Sequence, residues 1–309
     1  MVHFPIATSR LKPKARTGSL PPRRLLSVDV PWASIDPRQL LFIPCLLCGR
    51  SASQPIASLI INRYEFFLVR CGGCGLVWRN PLPGRRFLAQ LYRAPYYDVR
   101  RHAPALVDQV GIPDALLIDR ARRRRLTRQE VRRWLSRGIV PRGRNGQKRL
   151  LELGGGRGYL QQAAAEIGWI TTGLELSAHG VREAVQQDLR VLPSTLEHFS
   201  RAYLPRPAYF DVVALFDFIE HVDDPGVVLR TVARLLTPDG VAILRTPIIR
   251  GTPRLHLVDH IWHFTRRTIR LWLEREGFAV EREAFSGTFE SIDGRRRLGN
   301  WTVFARRRV

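Results

Sequence analysis

Long apolar runs are missing from this chain of 309 residues. The nearest, Leu40 to Cys48, is interrupted by Pro44 and falls far short of the roughly 20 residues that a membrane-crossing helix needs, so no membrane span is expected. No continuous apolar stretch follows the N-terminus, so a secretory leader is not expected, and the chain reads as cytoplasmic. Cysteine is scarce, with four residues in the whole chain. Lysine is nearly absent, confined to Lys12, Lys14 and Lys148 among 50 basic residues. The net charge of +23 invites a nucleic-acid reading. A phosphate-binding surface more often mixes both cations, however, and so one-sided a use of arginine fits coding bias in a GC-rich genome.

What is present begins with the four cysteines, which fall in two pairs, Cys45-Leu46-Leu47-Cys48 and Cys71-Gly72-Gly73-Cys74. Each C-x₂-C pair on a tight turn offers two thiolates to one ion, and two such turns complete a tetrahedral four-sulfur zinc site. No histidine lies among them, so no open coordination position is implied and the zinc is expected to be structural. Short strands at Ser58 to Asn62, Tyr64 to Arg70 and Leu76 to Trp78 would make the segment a zinc-ribbon hairpin. Disulfides fit a cytosolic chain poorly, and a redox pair would need only one C-x-x-C.

The stretch on which the chain turns is Leu150-Leu151-Glu152-Leu153-Gly154-Gly155-Gly156-Arg157-Gly158-Tyr159, an apolar run, an acid and a glycine-rich turn ahead of a helical segment, Tyr159 to Ile167. A buried parallel strand reads as such a run. Open α/β sheets bind ligands at the carboxyl edge that this turn would occupy. The dinucleotide pattern G-x-G-x-x-G would need a glycine where Tyr159 stands. A second apolar run ends in Thr172-Gly173-Leu174-Glu175-Leu176-Ser177, about the separation at which an acid meets ribose hydroxyls.

The pattern Glu152, Gly154, Gly156, Gly158 resembles motif I of class I S-adenosylmethionine-dependent methyltransferases, and the likeness runs in order from Arg149 to Val309. Phe210 to Phe216 resembles the fourth strand of that family, and Glu220-His221-Val222-Asp223-Asp224-Pro225 a signature of one branch, like the ubiquinone-biosynthesis methyltransferases. Leu235 to Pro247 reads as helix end, Pro238-Asp239-Gly240 turn and fifth strand. Phe278 to Arg282 and Asn300 to Ala305 follow as sixth strand and antiparallel seventh. The resemblance implies an α/β fold, a Rossmann-like seven-stranded sheet, mostly parallel with the last strand antiparallel, beside a small N-terminal zinc-ribbon domain. It implies S-adenosylmethionine as cofactor, with Glu152 near the methionine amino group, Glu175 on the ribose, Thr195 and Leu196 flanking the adenine, and Phe216 and Asp217 lining the methionine end.

Ribbon, Arg79-Asn80-Pro81-Leu82-Pro83, Leu91-Tyr92, Tyr96-Tyr97-Asp98 and basic helix, in that order, resemble bacterial methyltransferases with an N-terminal zinc domain, sugar C-methyltransferases among them. Tyr92, Tyr96 and Tyr97 are thereby candidate lid or substrate residues, the alternative being aromatic packing between domains. If the acceptor must lose a proton, a histidine suits the task. His221, His260 and His263 lie where the family places substrate-facing loops, with His260 the first choice as base; the alternative for His221 and His263 is a hydrogen bond that stitches the loop. His179 and His256 read as ordinary surface or loop residues.

The expected organisation is a disordered basic tail over residues 1–37, the zinc ribbon over 38–82, a helical linker and substrate lid over 83–148, and the methyltransferase domain over 149–309. The expected function is methyl transfer to oxygen, carbon or nitrogen of a small molecule such as a sugar or natural-product intermediate. The alternative is an RNA-binding protein or RNA methyltransferase that uses the ribbon and the arginines from Arg120 through Arg133. The plainer reading of that segment is a solvated helix face with Leu126, Val131, Trp134 and Leu135 as its apolar stripe.

Overall fold

The chain reverses at Asn62 and Arg63, whose backbones both take the left-handed conformation (φ 49° and 69°) that a two-residue hairpin turn requires. A computed structural model describes residues 24–93, 120–136, 139–140, 146–203, 209–249, 258–290 and 297–308. The hairpin belongs to a five-stranded sheet of β1 (Arg24–Val28), β2 (Ser53–Ile61), β3 (Tyr64–Cys71), β4 (Val77–Asn80) and, from far along the chain, β10 (Trp262–His263), in that spatial order. Only β1 and β2 run parallel.

Strand β1 lies within the stretch expected to be a disordered tail. Val30, Ala33 and Ile35 after it are buried. The Asn62 side chain holds this segment, accepting from the Val30 amide and donating to the carbonyls of Val30 and Ala33. Its partner is more than 30 residues away in sequence, which is why the local composition reads as tail. Residues 1–23 lie outside the described residues.

Among the described residues two helices follow, α1 (Arg85–Arg93) and α2 (Arg120–Ser136), and then the second sheet. Its strands are β5 (Arg149–Leu153), β6 (Ile170–Leu174), β7 (Val191–Leu192), β8 (Phe210–Phe216), β9 (Leu236–Pro247), β11 (Phe278–Glu290) and β12 (Arg297–Arg307). The spatial order is β11-β12-β9-β8-β5-β6-β7, with β12 antiparallel to both neighbours and the other six strands running in one direction. All seven residues of β8 are buried, as a parallel strand covered on both faces demands. The turn expected at Pro238-Asp239-Gly240 is instead a bulge inside β9: pairing jumps from Phe210 with Leu236 to Val212 with Val241, leaving Pro238 and Asp239 exposed.

The covering helices are α3 (Tyr159–Ala165), α4 (Ala178–Val185), α5 (Leu196–Tyr203), α6 (Pro225–Leu235) and α7 (Arg266–Arg275). Asp224 caps α6 through the Val227 amide, with Pro225 at its first position, and Thr265 and Thr268 form a reciprocal cap on α7. No helix among the described residues is long and apolar enough to cross a membrane.

The two sheets are welded at β10. Trp262 pairs with Trp78 and His263 with Val77, the Arg79 amide donates to the Ile261 carbonyl, and the Trp262 indole donates to Val222. Trp262, Trp78 and Trp272 are fully buried, and one apolar core runs from Val30 in the first sheet to Phe278 in the second. Trp262→Ala should therefore cost about 3–5 kcal/mol, read by urea denaturation followed by both tryptophan fluorescence and circular dichroism. The wild-type curves should coincide; two separated transitions would mean that the sheets fold independently.

Candidate functional site

Strand β5 delivers Glu152 and the glycine turn to the carboxyl edge of the sheet, where β6 and β8 flank it and the strand order reverses. This is the crevice in which such sheets hold ligands. Gly154, Gly156 and Gly158 take φ of 67°, 54° and 75°, a left-handed backbone that costs an ordinary L residue roughly 1–2 kcal/mol. At Gly158 space adds to the demand, since a Cβ there would lie 2.4 Å from Leu189 Cδ1. The amides of Gly154 and Gly155 both donate to the Leu174 carbonyl, so the turn is tied to the end of β6.

Glu175 follows β6. One carboxylate oxygen accepts from the Gly156 amide at 2.8 Å and the other from the Ser177 amide at 2.6 Å. Burial pushes its carboxyl above the usual range, opposed by the amides of Ser177, Gly156 and Leu176. Glu152 is buried beneath the turn, its Oε2 3.2 Å from where a Cβ on Gly155 would stand. Thr195 and Leu196 lie past β7 on the same edge; the Thr195 hydroxyl accepts from the His198 amide at the start of α5, and Leu196 is half-buried against the core.

At the end of β8, Asp217 adopts φ 51° and its carboxylate meets Arg245 at 3.1 Å and the Asn300 amide group at 3.3 Å. Arg245 stacks over the Phe216 ring at 4.2 Å and lies 3.6 Å from Glu130 of α2. Trp134 of α2 meets Phe216 edge-on at 5.8 Å. Helix α2 therefore turns Val131, Trp134 and Glu130 inward against the site, with burial raising the Glu130 carboxyl. Leu126 of the expected stripe is instead exposed. The side chains of residues 120–124 and 135 lie outside the described residues, as do Tyr96, Tyr97 and His256.

The three candidate histidines come together. The His221 and His260 rings meet edge-to-face at 4.6 Å, and His260 and His263 lie 6.1 Å apart; His260 and His263 are buried and His221 half-buried. Tyr92 of α1 reaches them from the other side, its hydroxyl 2.7 Å from His221 Nδ1. Arg79 of β4 is wholly buried alongside and donates to the Val258 carbonyl at 2.7 Å. Burial lowers its guanidinium to about 10, with Tyr92 and Asp259 acting in the opposite sense. His179, by contrast, pairs with Glu183 on α4 and takes no part in this cluster.

Glu220, the residue before His221, is almost wholly buried, and its carboxyl is held well above the usual range by burial, then by Asp217 and also Asp259. A carboxyl raised in the folded state favours folding below its unfolded value and loses that contribution as pH climbs towards the folded one. Wild-type melting temperature should accordingly fall more steeply than that of Glu220→Gln as pH rises above the ordinary carboxylate range. Parallel melting curves would remove Glu220 from the account.

All four cysteine sulfurs lie within 4.8 Å of one another, with Cys45 and Cys74 at 3.5 Å, Cys48 and Cys71 at 3.4 Å, and none in a disulfide. Four thiolates bound about 2.3 Å from one tetrahedral ion would be spaced in this way. Each pair closes in a left-handed glycine, Gly49 or Gly75, whose amide donates to the carbonyl of the first cysteine. Burial pushes the Cys71 thiol up, but the amides of Cys74 and Gly73 and the adjoining sulfurs outweigh it and bring it to about 7. The Arg275 guanidinium of α7 donates to the carbonyls of Leu46 and Leu47 inside the first pair.

The model of a methyltransferase domain matches residues 120–283, just over half of the chain. The chain belongs to the methyltransferase domain family. Among relatives, it is 36% identical over 104 residues to the ubiquinone biosynthesis O-methyltransferase of Caulobacter sp. (strain K31), covering 32% of this chain and 40% of that one. The corresponding figures for the enzyme of that name from Pseudomonas aeruginosa (strain LESB58) are 32% over 118 residues, 36% and 48%. The chain thus spans less than half the length of these curated relatives. Among solved structures, the 1,6-didemethyltoxoflavin-N1-methyltransferase of Burkholderia thailandensis, with bound 1,6-didemethyltoxoflavin and S-adenosylhomocysteine, superposes with a TM-score of 0.53 at 17% identity, covering 79% of this chain and 96% of that one. That likeness is one of fold.

Four residues of this methyltransferase-family site were not singled out from sequence. Glu220 carried a signal, since it precedes His221 in the quoted signature. Arg79, Arg245 and Arg275 carried none that separates them from the many other arginines, because the contacts of Arg79 with Val258, Arg245 with Glu130 and Asp217, and Arg275 with Leu46 are long-range.

Proposed function

We propose that this chain is an S-adenosylmethionine-dependent methyltransferase acting on a small-molecule acceptor. The observation that carries the reading is the turn after β5, where three alternate left-handed glycines and the amide-bound Glu175 line the switch point of the sheet. Such a turn lets a ligand approach the backbone more closely than side chains would permit. Glu152, Gly154, Gly156, Gly158, Glu175, Thr195, Leu196, Phe216 and Asp217 would hold the cofactor. When bound, S-adenosylmethionine supplies a methyl carbon activated by its sulfonium.

The remaining work falls to the chain's own residues. One of His221, His260 and His263 takes the acceptor's proton as its lone pair attacks, and the loop from Val258 to Thr265 with α1 and α2 shields the reacting atoms from water. The relatives methylate oxygen and the solved neighbour a ring nitrogen, by their names. That range supports a small acceptor and leaves oxygen, nitrogen and carbon open. Cys45, Cys48, Cys71 and Cys74 would hold one structural Zn²⁺, and free thiols this close suit a reducing, cytoplasmic setting. We propose a ribbon over 38–82 to which β1 and the segment through Ile35 are added in front, a lid region over 83–148 and a catalytic domain over 149–309.

The test is transfer of tritiated methyl from S-adenosylmethionine into fractionated small molecules and, separately, into total RNA. Label in the small-molecule fraction is the expected result. Label confined to RNA would overturn the acceptor class.

A further inference from the structure

The proposed reaction needs a histidine whose lone pair points at the acceptor, and the ring can present either nitrogen. Which one it presents is decided by what its other nitrogen bonds to. Around His221 Nδ1 three atoms form a closed triangle: the Tyr92 hydroxyl oxygen at 2.7 Å, the Asp259 carbonyl oxygen at 3.2 Å, and those two oxygens 3.2 Å from each other. The carbonyl can only accept. The hydroxyl has one proton to give.

Two arrangements can be written. If Tyr92 donates to Nδ1, the bare Nδ1 lone pair and the Tyr92 oxygen both face the Asp259 carbonyl with no proton between, and three acceptors share a single hydrogen. If Nδ1 carries the proton, it donates to the Tyr92 oxygen, and the Tyr92 hydroxyl donates onward to Asp259. Every contact of the triangle is then compatible with its neighbours. We propose that Tyr92 is a positioning residue that holds His221 as its Nδ1–H tautomer, so that Nε2 is the nitrogen that accepts the proton of the methyl acceptor. This rests on the reading of the chain as a methyltransferase with a histidine base, and it selects His221 ahead of His260.

The surroundings keep the arrangement fixed. Tyr92 and His221 also meet edge-on, with ring centroids 5.5 Å apart. Burial, then Asp259, holds the Tyr92 hydroxyl well above its ordinary pKa, so it stays a donor at physiological pH. The loop bearing Asp259 is tied by Arg79 through Val258 and by the amides of Ile261 and Trp262, which both donate to the Glu220 carbonyl. The charged and titratable groups facing His221 are thus Tyr92 from α1, Arg79 from β4, Glu220 beside it, and Asp259, His260 and His263 from the loop.

In the reaction the acceptor's bond to hydrogen breaks, its electron pair forms the bond to the methyl carbon, and the pair of the carbon–sulfur bond returns to the sulfonium. The released proton goes to His221 Nε2. The resulting imidazolium keeps its Nδ1–H on Tyr92, so the base charges without turning its ring. Such a ring is prepared for transfer before the acceptor arrives.

The experiment is long-range ¹H–¹⁵N correlation of the full chain labelled with ¹⁵N-histidine, with the His221 signals assigned by their loss in His221→Gln. In the wild type, His221 should show a protonated Nδ1 and a bare Nε2. In Tyr92→Phe the Asp259 carbonyl alone remains to accept from Nδ1, so the His221 signals should shift and the Nδ1–H form should be held less completely, while S-adenosylmethionine affinity, read by calorimetry, is unchanged. A wild-type His221 with its proton on Nε2 overturns the proposal, as do His221 signals that stay unchanged in Tyr92→Phe. Should Tyr92→Phe fail to fold, the wild-type spectrum alone still decides the tautomer. Absence of cofactor binding by the wild type would instead strike the functional reading, so the two failures are told apart.

Discussion

A Glu175→Ala protein should lose S-adenosylmethionine affinity by tenfold or more and become less stable at the same time. The acid has two jobs in this structure. Its two oxygens accept the amides of Gly156 and Ser177, holding the glycine turn against the end of β6. Truncation leaves two buried donors unsatisfied at about 1–3 kcal/mol each, before any bond to a ribose hydroxyl is counted. Loss of one such bond by itself weakens binding by about tenfold, since 1.4 kcal/mol is a factor of ten. Glu175→Gln, which keeps one acceptor oxygen, should fall between. Calorimetric titration and thermal melting of the three proteins check this together. Weakened binding with unchanged melting would mean that the turn stands without the acid; unchanged binding would remove Glu175 from the site.

Stripping the metal, or replacing Cys48 or Cys71 by serine, should lower the melting temperature of the whole chain and abolish methyl transfer, while the protein that remains folded keeps nearly its full cofactor affinity. Structural zinc sites contribute about 10 kcal/mol or more of apparent folding free energy at neutral pH, so the loss should be large. It reaches the chemistry because β4 starts three residues after Cys74 and pairs with β10, which carries His263. Arg275 makes a second tie, from α7 to the first cysteine pair. The glycine turn, at the far side of β8, depends on neither. Zinc content by elemental analysis, activity, and calorimetry on chelated protein separate these outcomes. Activity that survives complete removal of the metal would show that the histidine loop does not lean on the first sheet, and a wild-type protein free of zinc would sink the metal assignment.

Why some features were legible in the chain and others were not follows from range. The glycine turn, the acid after the second strand and the paired cysteines are fixed by spacings of two to four residues, which local chemistry dictates. The seven-stranded sheet was expected from the family resemblance that these motifs carry in order along the chain. Strand β1 and the pairing of β4 with β10 could not be read, because each is decided by partners tens to nearly two hundred residues away. The inward face of α2 is a partial case: Val131 and Trp134 read as its apolar stripe and are buried, while nothing local marks Glu130 as the partner of Arg245 or Phe216 as the ring that Trp134 meets. The histidines were picked out one by one from their loops. That they share a single cluster, with Tyr92 closing it from a helix near the cysteines, is information that only the folded chain holds.

The measurement that bears most directly on the central claim is calorimetric titration of the zinc-replete, full-length protein with S-adenosylmethionine and, in parallel, with NAD. The account predicts one site of micromolar affinity for the former, about −8 kcal/mol, and no heat from the latter. Binding of neither, or of NAD in preference, would contradict it.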